Sequence, residues 1–298
     1  MTGWLKRMGQ WLAPRLDQLA YYFAFFGWKK LDQSFAISKQ NQILLALRYQ
    51  ELARAGVALP ELRDVEFRAF SQHGEDGILL YLFALVGATD RRVVEICCGD
   101  GVECNAANLV IHHDWRGLLV DGSAAKIAFG RSFYSRLLNT LQHPPALVDA
   151  WVDAEGVNDL VRGHGVEGEI DLLSLDMDGV DYWVCRALTV VRPRVMVVEF
   201  NAALGPDRSL TVPYRRDFRA RGAHGGASLA AWTGLLRERG YRLIGAEHSG
   251  INAFFVRSEA AGARLAEVGA RECFERTRAA EIFARSGEAA SKYEWIEV

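Results

Sequence analysis

The run Val93-Val94-Glu95-Ile96-Cys97-Cys98-Gly99-Asp100-Gly101 decides how this chain is read. Its first five residues are β-branched or apolar around a single acid, which predicts a buried strand. The strand runs straight into a glycine turn, where the backbone can approach a ligand closely and the amides of a following helix start can point at it. No Gly-Lys-Ser/Thr follows, so the turn is not a P-loop. Read with Cys97 at the first position of the G-x-G-x-x-G pyrophosphate fingerprint, the pattern is incomplete: Gly99 is in place, while Gly101 falls one residue before the third glycine position, which Val102 holds.

Working outward, further β-rich runs fall at residues 117–121, 146–152, 170–176 and 195–200, separated by helical segments. This alternation predicts a parallel sheet with helices on both faces. The runs 241–247 and 251–257 are joined only by His248-Ser249-Gly250, too short for a parallel crossover, so they predict an antiparallel hairpin. A sheet that ends in such a hairpin departs from a Rossmann dehydrogenase, which finishes with another parallel strand. An NAD-dependent oxidoreductase is therefore the less favoured reading.

Asp121 ends the second run, 22 residues beyond Gly99, in Leu118-Leu119-Val120-Asp121-Gly122-Ser123. An acid there is placed to accept both ribose hydroxyls of an adenosine ligand, with capping of the next helix as its plain structural role. Asp176, Asp178 and Asp181 crowd the turn after the fourth run, and Glu199 and Asn201 end the fifth. Mutual repulsion should raise at least one of these pKa values unless a cation or hydrogen-bond donors offset it. The group can serve the cofactor's sulfonium end, act as a general base, or, as Asp176, Asp178 and Glu199, hold Mg2+.

Three segments together resemble the FkbM-type branch of class I S-adenosylmethionine-dependent methyltransferases. They are Ser71-Gln72-His73-Gly74-Glu75-Asp76, the run 93–101, and Asp176-Met177-Asp178-Gly179-Val180-Asp181 within 170–181. The resemblance covers residues 70 to 257. It implies a Rossmann-like seven-stranded sheet, mostly parallel with a C-terminal antiparallel hairpin, and methylation of a hydroxyl on a small polar metabolite or glycan. S-adenosyl-L-methionine would be held by Gln72, Glu75, Glu95, Gly99, Asp100, Gly101, Asp121, Gly122, Ser123, Asp153 and Asp176, while Asp178, Glu199 and His224 would be catalytic. Cys97 and Cys98 stand where the family has small residues, and Asp replaces Glu at 178 and 181. A binding module or membrane-associated scaffold that keeps only the fold is the reading from another class.

His224 lies in a glycine-rich loop before a helix, as a general base or an ordinary surface residue. Asp153 follows the third run, where it either meets the adenine amino group or caps a helix. His112 and His113 are expected to be positive partners of a helix C-terminus. Residues 201–217 read as a long, substrate-determining loop.

The 298 residues carry 35 Lys+Arg against 37 Asp+Glu, a formal net charge of −2, which argues against a nucleic-acid partner. Five cysteines without ladder spacing predict free thiols in a cytoplasmic protein. Three divisions are expected: a helical region 1–65, the cofactor-binding domain 66–258, and a helical appendage 259–298. Residues 1–60 hold eight basic and three acidic side chains on amphipathic, Trp- and Phe-rich patterns. They predict packing on the domain or on a second copy in a homo-oligomer, or closure of the active site, with membrane-surface contact through residues 1–30 as the other expectation.

Overall fold

In the computed structural model, residues 38–298 are described. The expectations for residues 1–30 lie outside that range. In chain order the elements are α1 (Lys39–Ala55), α2 (Leu62–Val65), α3 (Glu75–Val86), β1 (Arg92–Ile96), α4 (Ala107–His113), β2 (Arg116–Asp121), α5 (Ala124–Tyr134), β3 (Ala146–Asp149), α6 (Val157–Gly163), β4 (Gly168–Leu175), α7 (Asp181–Ala187), β5 (Val191–Glu199), β6 (Leu210–Thr211), α8 (Leu229–Glu238), β7 (Tyr241–Ala246), β8 (Asn252–Arg257), α9 (Ser258–Ala261), α10 (Ala270–Glu275), α11 (Ala279–Ala290) and β9 (Ile296–Glu297).

Seven strands form one sheet in the order β3-β2-β1-β4-β5-β8-β7, with β8 antiparallel to both β5 and β7 and the other pairings parallel. This is the sheet expected from the sequence, reversed hairpin strand included. The central residues of the strands alternate between two cores. Val94, Ile96, Leu118, Val120, Leu173 and Leu175 pack on one face, and Val93, Leu119, Leu172, Val195 and Val197 on the other. Burial of both faces is why the central strands read as nearly continuous apolar runs.

The chain leaves β1 toward β2 and β3, then returns to add β4 on β1's other side. Helices therefore diverge at the carboxyl ends of β1 and β4, which opens a crevice where open α/β sheets hold ligands. A second sheet, unforeseen from the sequence, pairs β6 with β9. It ties the loop after β5 to the chain's last residues. Residues 259–298 are therefore not helical throughout. Among the described residues no helix is long and apolar enough to cross a membrane. All five cysteines are free, as expected.

Candidate active site

Glu95 starts the site. Alternation along β1 turns it away from Val94 and Ile96, toward Ser174 on the paired strand β4. Its carboxylate accepts the Asn105 and Ala106 amides at 3.0 and 2.7 Å and the Ser174 hydroxyl at 3.2 Å. These bonds pin the loop after β1 against the sheet. Burial pushes the Glu95 pKa up, against the pull of its donors.

The turn itself is left-handed at three residues: Cys97 has φ +63°, Gly99 +60° and Gly101 +70°. A side chain on Gly99 would meet nothing within 4 Å, so this glycine faces open space, whereas one on Gly101 would come within 2.8 Å of Leu147. Asp100 does not face the crevice. Its Oδ1 accepts the Val102 and Glu103 amides at 2.8 and 3.1 Å and closes the turn from beneath.

Asp121 ends β2 beside this turn. One carboxylate oxygen accepts the Gly99 amide at 3.0 Å and the other the Ser123 amide at 2.8 Å. The cap of α5 is Ser123, whose hydroxyl accepts the Lys126 amide. Asp121 is thus free of the capping role, and each of its oxygens keeps lone-pair capacity for a further donor. Gly122 lies against the Trp151 ring.

A cavity of about 300 Å³ opens here, lined by Gln72, Glu75, Glu95, Gly99, Asp121, Asp176 and Asp178 among the predicted residues. It also takes in Asn252, which the sequence reading missed. Glu75 is fully buried, and its Oε1 accepts the Asn252 amide at 2.8 Å. The Asn252 Oδ1 is buried with no partner in the fold. Asp76 beside it is structural: its Oδ2 accepts the Ala69, Phe70 and Ser71 amides and the Ser71 hydroxyl at 2.6 to 3.0 Å.

Carboxylate oxygens of Asp176, Asp178 and Glu199 all lie within 4.8 Å of one another. Asp176 and Glu199 are hydrogen-bonded, and burial, reinforced by neighbouring carboxylates, pushes both pKa values above the ordinary range, Glu199 the further. A proton shared by this pair meets the repulsion expected from the sequence, and the same oxygens are a fitting donor set for a hard divalent cation. Asp181 points back instead, accepting the Met177 and Gly179 amides to hold the turn. Asp178 sits in that turn with φ +55°.

A second cavity, about 320 Å³, adjoins the first. Asp178 lines both, and Glu199, Asn201, Ala223, Gly225, Ile282 and Ser286 line the second. His224 lines neither. Its ring stacks on Tyr293 at 4.7 Å and meets Trp295 and Phe218 edge-on, while Nε2 bonds the Glu294 carbonyl at 3.1 Å. Asp153 is likewise occupied: Oδ1 accepts the Gly156 amide at 2.7 Å, and Oδ2 pairs with Arg216 at 2.5 Å. His113 accepts no charge at the end of α4. Burial brings its pKa down to about 4, and His112 shifts the same way, which corrects the expected positive helix-end pair.

No family model matches the chain, and no curated protein is significantly similar to it. Solved structures do match. The CcbJ methyltransferase from Streptomyces caelestis is 14% identical over 66% of this chain and 96% of its own, with a TM-score of 0.40. The magnesium protoporphyrin IX methyltransferase of Synechocystis PCC 6803, crystallised with bound SAM, is 12% identical over 62% and 78%, with a TM-score of 0.37. The glycopeptide N-methyltransferase MtfA, complexed with S-adenosyl-L-homocysteine, is 11% identical over 58% and 85%, with a TM-score of 0.37.

Proposed function

We propose that this protein is an S-adenosylmethionine-dependent methyltransferase of the FkbM type that methylates a hydroxyl on a small polar metabolite or glycan. The observation that carries the reading is that Asp178 lines two adjoining cavities at once. One is walled by the glycine turn and by Asp121, an acid with open acceptor capacity for a ribose. The other is the acceptor side.

Bound S-adenosylmethionine supplies an electrophilic methyl group on sulfonium sulfur. The chain's own work is to align a hydroxyl with that carbon and take its proton. Asp121 accepts the ribose hydroxyls, and Gln72, Glu75 and Asn252 bind the amino-acid end through their polar atoms. Asp178, standing between the cavities, accepts the acceptor's proton as the oxygen–methyl bond forms and the carbon–sulfur bond breaks. Glu199 and Asp176, sharing a proton, fix the charge around it. His224, enclosed by aromatic rings, serves as the anchor of the C-terminal segment, in place of the catalytic role the sequence suggested.

The test is a thermal-shift titration with S-adenosylhomocysteine and, in parallel, with NAD. A ligand at one hundred times its Kd stabilises by about 2.7 kcal/mol. S-adenosylhomocysteine should raise the Tm and NAD should leave it in place; a chain indifferent to S-adenosylhomocysteine overturns the proposal.

A further inference from the structure

The C-terminal helix α11 lies outside the segment that resembles the methyltransferase family, yet it supplies a wall of the second cavity. Ile282 and Ser286, four residues apart, share one helix face, and both line that cavity. The helix is seated closely. A side chain on Gly250 would lie 2.5 Å from the Ala279 nitrogen, so only glycine lets the β7–β8 hairpin touch the helix start. The Arg278 amide donates to the His248 carbonyl at 2.9 Å, which fixes the same end. Farther along, Phe283 reaches the backbone of Gly205 in the loop after β5. The wall is held at its start and again at Phe283 by different parts of the fold.

The lining holds acids and no cation. It contains Asp178 and Glu199, the second sharing a proton with Asp176, and no Lys, Arg or His, with the Ser286 hydroxyl as a further polar group. The Asn201 side chain is already spent on the Ala203 amide and the Ala223 and Gly225 carbonyls. A phosphate or carboxylate would find carboxyl groups here and no cation, which is unfavourable in a partly enclosed site. A hydroxyl or an amine finds acceptors.

We propose that Ile282 and Ser286 are acceptor-determining residues, and that the cavity they close takes a hydroxyl-bearing fragment free of phosphate and carboxylate. The inference rests on the methyl-transfer reading for its name of acceptor, while the chemistry of the cavity is measured separately. Ser286→Cys places a thiol on the cavity wall, with Ile282→Cys on the same face carried in parallel. Each variant is reacted with methyl, 2-sulfonatoethyl and 2-(trimethylammonio)ethyl methanethiosulfonate, and rates are normalised to free cysteine. The wild-type protein sets the background, its thiols being buried except for the partly exposed Cys97.

The anionic reagent should react about tenfold slower than the neutral one, and the cationic reagent at least as fast as the neutral one. Asp178→Asn in the same background should narrow the gap. Equal normalised rates, or no labelling above wild type in either variant, overturns the inference. S-adenosylhomocysteine binding is measured on the same preparations. Loss of charge discrimination with binding intact sinks the acceptor inference alone, whereas discrimination without any binding sinks the methyltransferase reading.

Discussion

The Gly99 amide donates to Asp121 at 3.0 Å, which ties the turn after β1 to the tip of β2. The geometry makes Asp121 both a structural brace and a binding residue. Asp121→Ala should therefore weaken S-adenosylhomocysteine by about 1–3 kcal/mol, as expected for charge-assisted bonds, and also lower the Tm. Calorimetric titration and thermal melting read the two effects. Unchanged affinity in a folded variant would remove Asp121 from the site.

Asp76 is a purely structural test of the same region. It is fully buried, and four donors converge on one of its oxygens. Asp76→Ala leaves three backbone amides without a partner, at about 1–3 kcal/mol for each buried unsatisfied group. Urea unfolding should show a loss exceeding about 3 kcal/mol, unlike the mild effect expected at an exposed carboxylate.

Cys97 holds a left-handed backbone where the related fingerprint has glycine. Left-handed geometry costs a residue with a Cβ roughly 1–2 kcal/mol. Cys97→Gly removes that strain while adding freedom to the unfolded chain, so stability should rise by up to about 1 kcal/mol. Denaturant midpoints check the direction. A clear loss would mean the Cys97 side chain contributes packing that outweighs the strain.

How much of this was legible in the sequence follows from what each feature depends on. The five parallel runs and the closing hairpin were readable because double-sided burial leaves long apolar stretches and because three residues cannot make a crossover. The start of β5 was not: it begins at Val191 and passes through Pro193, which local reading treats as a strand breaker. The β6–β9 pair joins residues 85 or more apart through two positions each, with no local pattern to announce it. Among site residues, Asp121 and the acids after β4 showed in the strand endings. The partners of Asp153 and His224 did not, because Arg216, Tyr293 and Trp295 arrive from distant segments. Asn252 opens β8 like any polar boundary residue. Only the fold shows its amide on Glu75.

Glu199 gives the pH dependence. In the folded protein, burial first and the neighbouring Asp176, Asp181 and Asp178 carboxylates second raise its pKa above the ordinary 4.5. The folded state therefore holds a proton that the unfolded chain has released. By linkage, the stability from this group is fully present below pH 4.5 and is lost as pH rises through neutrality toward the raised value. Asp176, raised from 3.8, and Glu66, raised by burial to about 7, act with the same sign. Glu199→Gln keeps the shape and hydrogen-bonding capacity but cannot ionise. Relative to wild type it should gain stability steadily between pH 5 and pH 8, by roughly 1 kcal/mol per pH unit or less. Paired melts across that range read the Asp176–Glu199 pair, since Glu66 is present in both proteins and cancels. A difference that stays flat with pH would mean Glu199 is already ionised in the fold, and the shared proton assigned to it and Asp176 would have to be given up.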